Sequence, residues 1–187
     1  AENLFHERGY MSTSVDAIAE ALNFTKPFVY AVYRRKADIL AEICQRFLLK
    51  RLELMEEANS LKASPSIRLH RIAGSLSQHV IDKPGSVSIF FRERNLLDTE
   101  AAEVLRALNG EFDVRMATLL LEGCRIGEFR VSDVNIASMA IYGLINSVHL
   151  WHHKSGNNAS SVICNQVSDY ALSLVSASKQ EVTRPSA

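Results

Sequence analysis

An excess of charge of either sign is what this sequence most plainly lacks: Lys+Arg and Asp+Glu number 21 each in 187 residues. That balance excludes a broad polycation that coats nucleic acid through net charge. An anion-binding surface must be local, because exposed charges beyond a Debye length of ~10 Å are screened. Cysteine is equally sparse. Cys44, Cys124 and Cys164 are odd in number, far apart and without CxxC spacing. They exclude a disulfide framework and suit packed thiols in a reducing cytosol. No run of 18 apolar residues and no secretory hydrophobic segment occurs, so we expect a soluble, unexported, cytoplasmic protein with no membrane partner. GxSxG, HExxH, P-loop and GxGxxG motifs are also missing. Gly74-Ser75 and Gly85-Ser86 have no base near them in sequence. The expectation is therefore a protein that is not an enzyme, with no catalytic residue and no cofactor.

Proline is rare too, at four residues, whereas 47% of the chain is apolar. Little interrupts helix formation, and the pattern predicts an all-α fold with one sizeable core and a small appended domain. Helices are expected over Ala37–Ala58, from Ser64-Pro65 to Asp82, over Ser86–Leu97 and over Glu100–Gly127. Lys83-Pro84-Gly85 is a break, and Asn109-Gly110 is a point of interruption. Glu128–Asp133 connects to a helix capped by Ser132 or Asp133 that ends at Lys154-Ser155-Gly156. A last helix runs from Asn158 to about Ala177. Ala1–Phe5 reads as the final turns of a first helix, so the numbering is expected to begin inside it. Strand alternation, repeats and low-complexity tracts do not compete with this reading.

Residues 13–40 carry most of the functional information. Val15, Ile18, Ala19 and Leu22 form one apolar helical stripe. Thr13 and Asp16 have capping-box spacing, with Ser14 a rival cap. Asn23 can take the left-handed conformation that ends a helix. Thr25 caps the next helix, Pro27 sits in its first turn, and Val29, Val32 and Tyr33 give it an inner face. This is a helix-turn-helix, whose second helix suits a DNA major groove. Lys26, Arg34, Arg35 and Lys36 stand within Thr25–Lys36 without an intervening acid, a local cationic patch.

The same stretch resembles the DNA-binding domain of the TetR family of bacterial transcriptional regulators. The resemblance rests on Leu4-Phe5, Gly9-Tyr10, Thr13-Ser14, Ile18-Ala19, Tyr30, Tyr33, Lys36 and Asp38-Ile39-Leu40. Asn23 departs from the family's usual glycine but tolerates the same backbone. The resemblance implies a DNA-binding domain over 1–45 and a helical ligand-binding and dimerisation domain over 46–187. Lys26, Phe28, Ala31 and Val32 are expected to face base edges. Thr13, Ser14, Thr25, Tyr30 and Lys36 are expected to hold phosphates. In the family a first helix longer than Ala1–Phe5 is often preceded by a basic arm.

The helix from Val134 to Trp151 carries a narrow stripe of Ala137, Ala140, Gly143 and Ser147, and the final helix is apolar at Val162, Ile163, Val167 and Tyr170. The resemblance implies that this pair forms a homodimer interface, and a two-fold dimer would set two recognition helices ~34 Å apart on operator DNA. Residues 127–156 resemble loosely the members that bind acyl-CoA thioesters or similar apolar acids. Phe90, Phe91, Phe112, Met116 and Leu120 are candidate lining residues for a small-molecule effector, with Tyr142, Asn146, His149 and Trp151. Each serves equally as bundle core. Arg94, like Arg92, is a candidate for a ligand carboxylate or phosphate, against a solvated pair or a link to Glu93. His149, His152 and His153 have helical spacing but no carboxylate or cysteine to complete a set, so no metal site is expected. The reading is a homodimeric repressor released from its operator by a small, largely apolar ligand of the acyl-CoA kind. The alternatives are a helical acyl-CoA-binding protein or enzyme that does not bind DNA, and an activator of the same fold without an inducer.

Overall fold

Proline marks three helix starts. Pro65 and Pro84 open helices, and Pro27 stands in the first turn of another, where a missing N–H costs no intrahelical bond. The structure, a computed structural model, describes residues 1–152 and 159–176. Within them lie α1 (Glu2–Arg8), α2 (Val15–Ala21), α3 (Lys26–Val32), α4 (Lys36–Asn59) and α5 (Pro65–Asp82). These are followed by α6 (Pro84–Glu93), α7 (Thr99–Arg125), α8 (Val134–Trp151) and α9 (Ser160–Val175), with a 3-10 turn at Arg94–Leu96. The fold is all-α; Phe129 and Ser176 form an isolated β-bridge.

Side chains set several of the helix limits. Asp98 caps α7 by accepting from the Ala101 amide, and Asp133 caps α8 by accepting from the amides of Asn135 and Ile136. Asn109-Gly110 does not interrupt α7. An added Cβ at Gly110 would meet nothing within 4 Å, and buried Leu105, Phe112 and Met116 hold the flanking turns to the core. The Lys83-Pro84-Gly85 break is a sharp corner in which Lys83 alone separates α5 from α6. The end expected for α8 at 154–156 lies outside the described residues.

One buried cluster runs from Phe5 in α1 to Val175 in α9. Helix α4 unites it. Its buried face begins under the helix-turn-helix at Ile39 and Leu40 and ends among α5 and α7 at Leu52 and Met55. The boundary expected at 45/46 therefore falls inside a continuous helix. Helix α5 packs along α9 closely enough that a Cβ on Gly74 would lie 3.0 Å from Ser168 Oγ. Burial pushes the Cys44 thiol up to about 12, which leaves it an inert packed thiol.

Helices α1 and α6 form a second junction, joining the N-terminal helices to the rest of the fold. Ser86 donates to Glu2 at 2.6 Å, and Arg92 Nη2 donates to the Phe5 carbonyl at 3.4 Å.

Candidate nucleic-acid interface and effector site

The helix-turn-helix is built from short-range rules. Ser14, not Thr13, caps α2, its hydroxyl accepting from the Ala17 amide at 3.1 Å. Val15, Ile18 and Ala19 are buried, while Leu22 ends half-exposed at the C-cap. Asn23 adopts φ 55°, as the turn requires of a residue that tolerates left-handed backbone. Thr25 caps α3 through its backbone, and its hydroxyl makes no capping bond. Val29 is buried and Tyr33 half-buried, so these two hold α3 inward. Val32, expected with them, is instead 62% exposed.

The exposed face of α3 carries most of the residues expected to meet DNA. Lys26, Phe28, Tyr30, Ala31 and Val32 are all exposed, with Ser14 and Thr25 at the helix starts. Phe28 stacks on Phe24 with ring centroids 4.4 Å apart. Two of the residues expected at phosphates have partners within the domain. Thr13 is buried, and its hydroxyl donates to the carbonyls of Gly9 at 2.8 Å and Leu4 at 3.2 Å. Lys36 donates to the carbonyls of Tyr10 at 2.8 Å and Thr13 at 2.9 Å, with its ammonium 4.3 Å from the Tyr10 ring centroid. Both polar groups are spent inside the domain. They peg α1 and α2 to the start of α4.

The cationic patch is also more compensated than its sequence indicates. Lys26 pairs with Asp16 across the turn at 2.8 Å, and that hydrogen bond raises its pKa. Arg35 bonds Asp38 and, from the larger domain, Asp98, each at 2.8 Å. Arg34 is exposed and has no hydrogen bond or ion pair among the described residues.

The residues expected to bind a ligand separate into three groups. Phe90, Phe112, Met116 and Leu120 are buried core. Phe91, Tyr142, Asn146 and His149 line an open groove of about 960 Å³ between α6 and α8. Phe91 and His149 stack there, centroids 5.9 Å apart. His6 of α1, Ser88, Arg92, Met139, Leu150 and His152 complete much of the wall, and no Asp or Glu is among the lining residues. Arg94 does not line this groove; its guanidinium lies 5.2 Å from the Phe90 ring centroid. Trp151 is not among the residues lining this groove. It is half-exposed in the last turn of α8, with its indole N–H donating at 3.4 Å to Ser147, which is itself in the groove wall. His153 lies outside the described residues.

Sequence reasoning missed Arg51. It occupies the buried face of α4 between Phe47 and Met55, where an apolar residue is the default. Its guanidinium carbon lies 4.1 Å from the Phe112 ring centroid and 4.2 Å from that of Tyr142. Burial lowers its pKa and raises that of the Tyr142 phenol. The available signal was positional: an arginine one turn after Phe47 and one turn before Met55 interrupts an otherwise apolar stripe.

Residues 1–43 match the model for bacterial regulatory proteins of the tetR family. Residues 62–175 match that of the tetracyclin repressor-like C-terminal domain. The chain belongs to the TetR family. It is accordingly a transcriptional regulator with a DNA-binding helix-turn-helix. No curated protein sequence matches it. Among solved structures, the TetR family regulator PfmR from Thermus thermophilus is 24% identical, with a TM-score of 0.85 over 92% of this chain and 94% of that one. A tetR-family regulatory protein from Rhodococcus RHA1 is 21% identical with a TM-score of 0.88, covering 96% and 94%. AibR, solved with isovaleryl coenzyme A and operator DNA, is 20% identical with a TM-score of 0.80 and 92% coverage of both chains. At these identities the likeness is one of fold. No helix among the described residues is long and apolar enough to cross a membrane.

Proposed function

We propose that this TetR-family chain is a cytoplasmic, homodimeric repressor released from its operator by a small, largely apolar effector with an anionic group. Acyl-CoA thioesters are one class of that description, and AibR supports it as a relative in fold solved with isovaleryl coenzyme A. In this reading residues 1–45 read DNA and residues 46–187 bind the effector and pair the protomers. Lys26, Phe28, Ala31 and Val32 meet base edges, and Ser14, Thr25 and Tyr30 meet phosphates. The dimer would cover an exposed stripe of Ile136, Ala140 and Gly143 on α8, with Val162, Tyr170 and Leu174 on α9.

The observation that carries the switch is the composition of the groove between α6 and α8. It contains His6 from the DNA-reading unit and Arg92, the residue that donates to the Phe5 carbonyl of α1. A ligand that fills it touches both sides of the α1–α6 junction. Occupancy that separates α6 from α1 alters the spacing of the recognition helices, provided the ligand binds the DNA-incompetent state more tightly. The test is duplex selection from a random library, followed by titration of the selected operator at several salt concentrations. Repressor function predicts sequence-selective binding with a steep salt dependence and a weaker complex when effector is present. Binding that ignores sequence, or an operator complex insensitive to every groove ligand, would sink the proposal.

A further inference from the structure

Arg51 is 3% exposed, yet no carboxylate is bonded to it among the described residues. Its Nη1 donates to Asn109 Oδ1 at 3.0 Å, while Nε is buried without a partner. The adjacent Tyr142 hydroxyl is likewise buried, with the Arg51 guanidinium and the Asn146 side chain as its polar neighbours and no close, well-aligned acceptor for its proton. Asp113, on the neighbouring α7, is exposed and acts only at a distance. The rings of Phe112 and Tyr142, centroids 6.0 Å apart and tilted by 51°, cradle the guanidinium. Cation–π attraction offsets part of the desolvation cost but supplies no counter-charge. A guanidinium N–H without an acceptor and a buried phenol O–H thus lie in the same part of the core, with no carboxylate between them. Tyr142 also lines the groove between α6 and α8, so its ring is shared by the groove wall and the Arg51 cradle.

We propose that Arg51 and Tyr142 form the anchor for the free carboxylate of an apolar acid, whose hydrocarbon part lies in the groove beside Phe91 and Met139. The inference rests on the effector reading above and names its ligand class. A carboxylate fits because it brings the missing charge and two acceptor oxygens for the two donors. An amide or thioester carbonyl brings an acceptor but no charge. Displacement of the Tyr142 ring joins groove and anchor. An Asp or Glu partner, the usual compensation for a buried arginine, is replaced here by the ligand itself.

The test uses the full chain with hexanoate and phenylacetate, their amides, and hexanoyl-coenzyme A, read by thermal shift and calorimetry. The acids should raise Tm and bind at least tenfold more tightly than the amides. Arg51→Met should abolish that response while leaving the ligand-free Tm equal or higher, since exchanging an uncompensated buried charge for apolar volume is often neutral or stabilising. A merely structural arginine would instead lower the ligand-free Tm and leave acid binding intact. Tyr142→Phe removes one oxygen and should weaken the acids roughly tenfold, keeping the test decisive if Arg51→Met fails to fold. Equal affinity for acid and amide, a response to the thioester alone, or no response to any acid overturns the inference. Operator titration in parallel separates the failures: selective DNA binding without acid binding removes only the anchor, whereas loss of selective DNA binding in the wild type removes the repressor reading.

Discussion

Lys36 shows how a residue expected to serve DNA can be committed to the fold. Its ammonium holds the carbonyls of Tyr10 and Thr13, which lie on either side of the bend between α1 and α2. Lys36→Met keeps most of the aliphatic stem and removes both bonds. It should cost about 1–2 kcal/mol, at the lower end for bonds to a charged group because the site is half-exposed. Urea denaturation checks this, and operator binding lost on warming should return on cooling. Arg34→Ala makes the opposite case. The side chain is exposed, so stability should stay within about 0.5 kcal/mol. The slope of log affinity against log salt should fall by about 0.9 if Arg34 neutralises one phosphate; an unchanged slope removes that role. His79 provides a pH signal. Burial lowers its pKa from the ordinary 6.5, Lys50, Lys83 and Arg51 affect it in the same direction, and Asp82 opposes them. The folded state thus prefers the neutral ring, stacked 5.5 Å from Phe47. Below pH 6.5 the unfolded chain takes up the proton first, and the stability present above that pH is lost as pH falls through the lower folded-state value. His79→Phe should flatten the dependence of Tm on pH below about 6.5; an unaltered profile assigns the dependence to other groups.

At the scale of elements, most helix limits were legible because they rest on local chemistry. Asn23, Pro65 and Asp133 each satisfy or spare a terminal backbone group, and such groups leave a signature within four residues. The interruption expected at Asn109-Gly110 failed for the converse reason. Tertiary anchorage through Leu105, Phe112 and Met116 outweighs a local helix penalty of ~1 kcal/mol. Long-range use of polar groups was not legible at all. No spacing rule shows that Thr13 and Lys36 bond distant carbonyls or that Arg35 reaches Asp98. Gly123 is a further case, ordinary in sequence and indispensable in packing. It lies in α7 beneath the Phe129 ring, and an added Cβ would overlap ring carbons of Phe129. Gly123→Ala should cost about 1–3 kcal/mol, the range for overpacking a well-filled core. Thermal denaturation should show the loss, and Phe129→Leu in the same chain should recover part of it. Additive losses in the double variant would mean that the two residues do not share this space.

For the whole molecule, the decisive question is what covers the outer faces of α8 and α9. A stripe containing Ile136, Ala140 and Gly143 is exposed on α8, and Val162, Tyr170 and Leu174 are exposed on α9. Apolar surface in such a contiguous stripe usually marks an interaction site. Small residues at Ala140 and Gly143 allow close approach, and an added Cβ at Gly143 would meet nothing within 4 Å. Within one protomer that space is empty, so Gly143→Glu should leave the monomer's fold and helicity intact. Across a two-fold axis the same substitution places two carboxylates in an apolar contact without partners, which is strongly unfavourable. Light scattering on the sized protein should therefore give half the wild-type mass for Gly143→Glu. Operator affinity should fall roughly 10²–10⁴-fold as the avidity of paired recognition helices is lost. A single half-site duplex should be bound about equally by both proteins. If Gly143→Glu keeps the dimer mass, α8 is not the interface; if the mass halves while full operator affinity persists, the recognition helices act singly and half-site pairing does not set affinity.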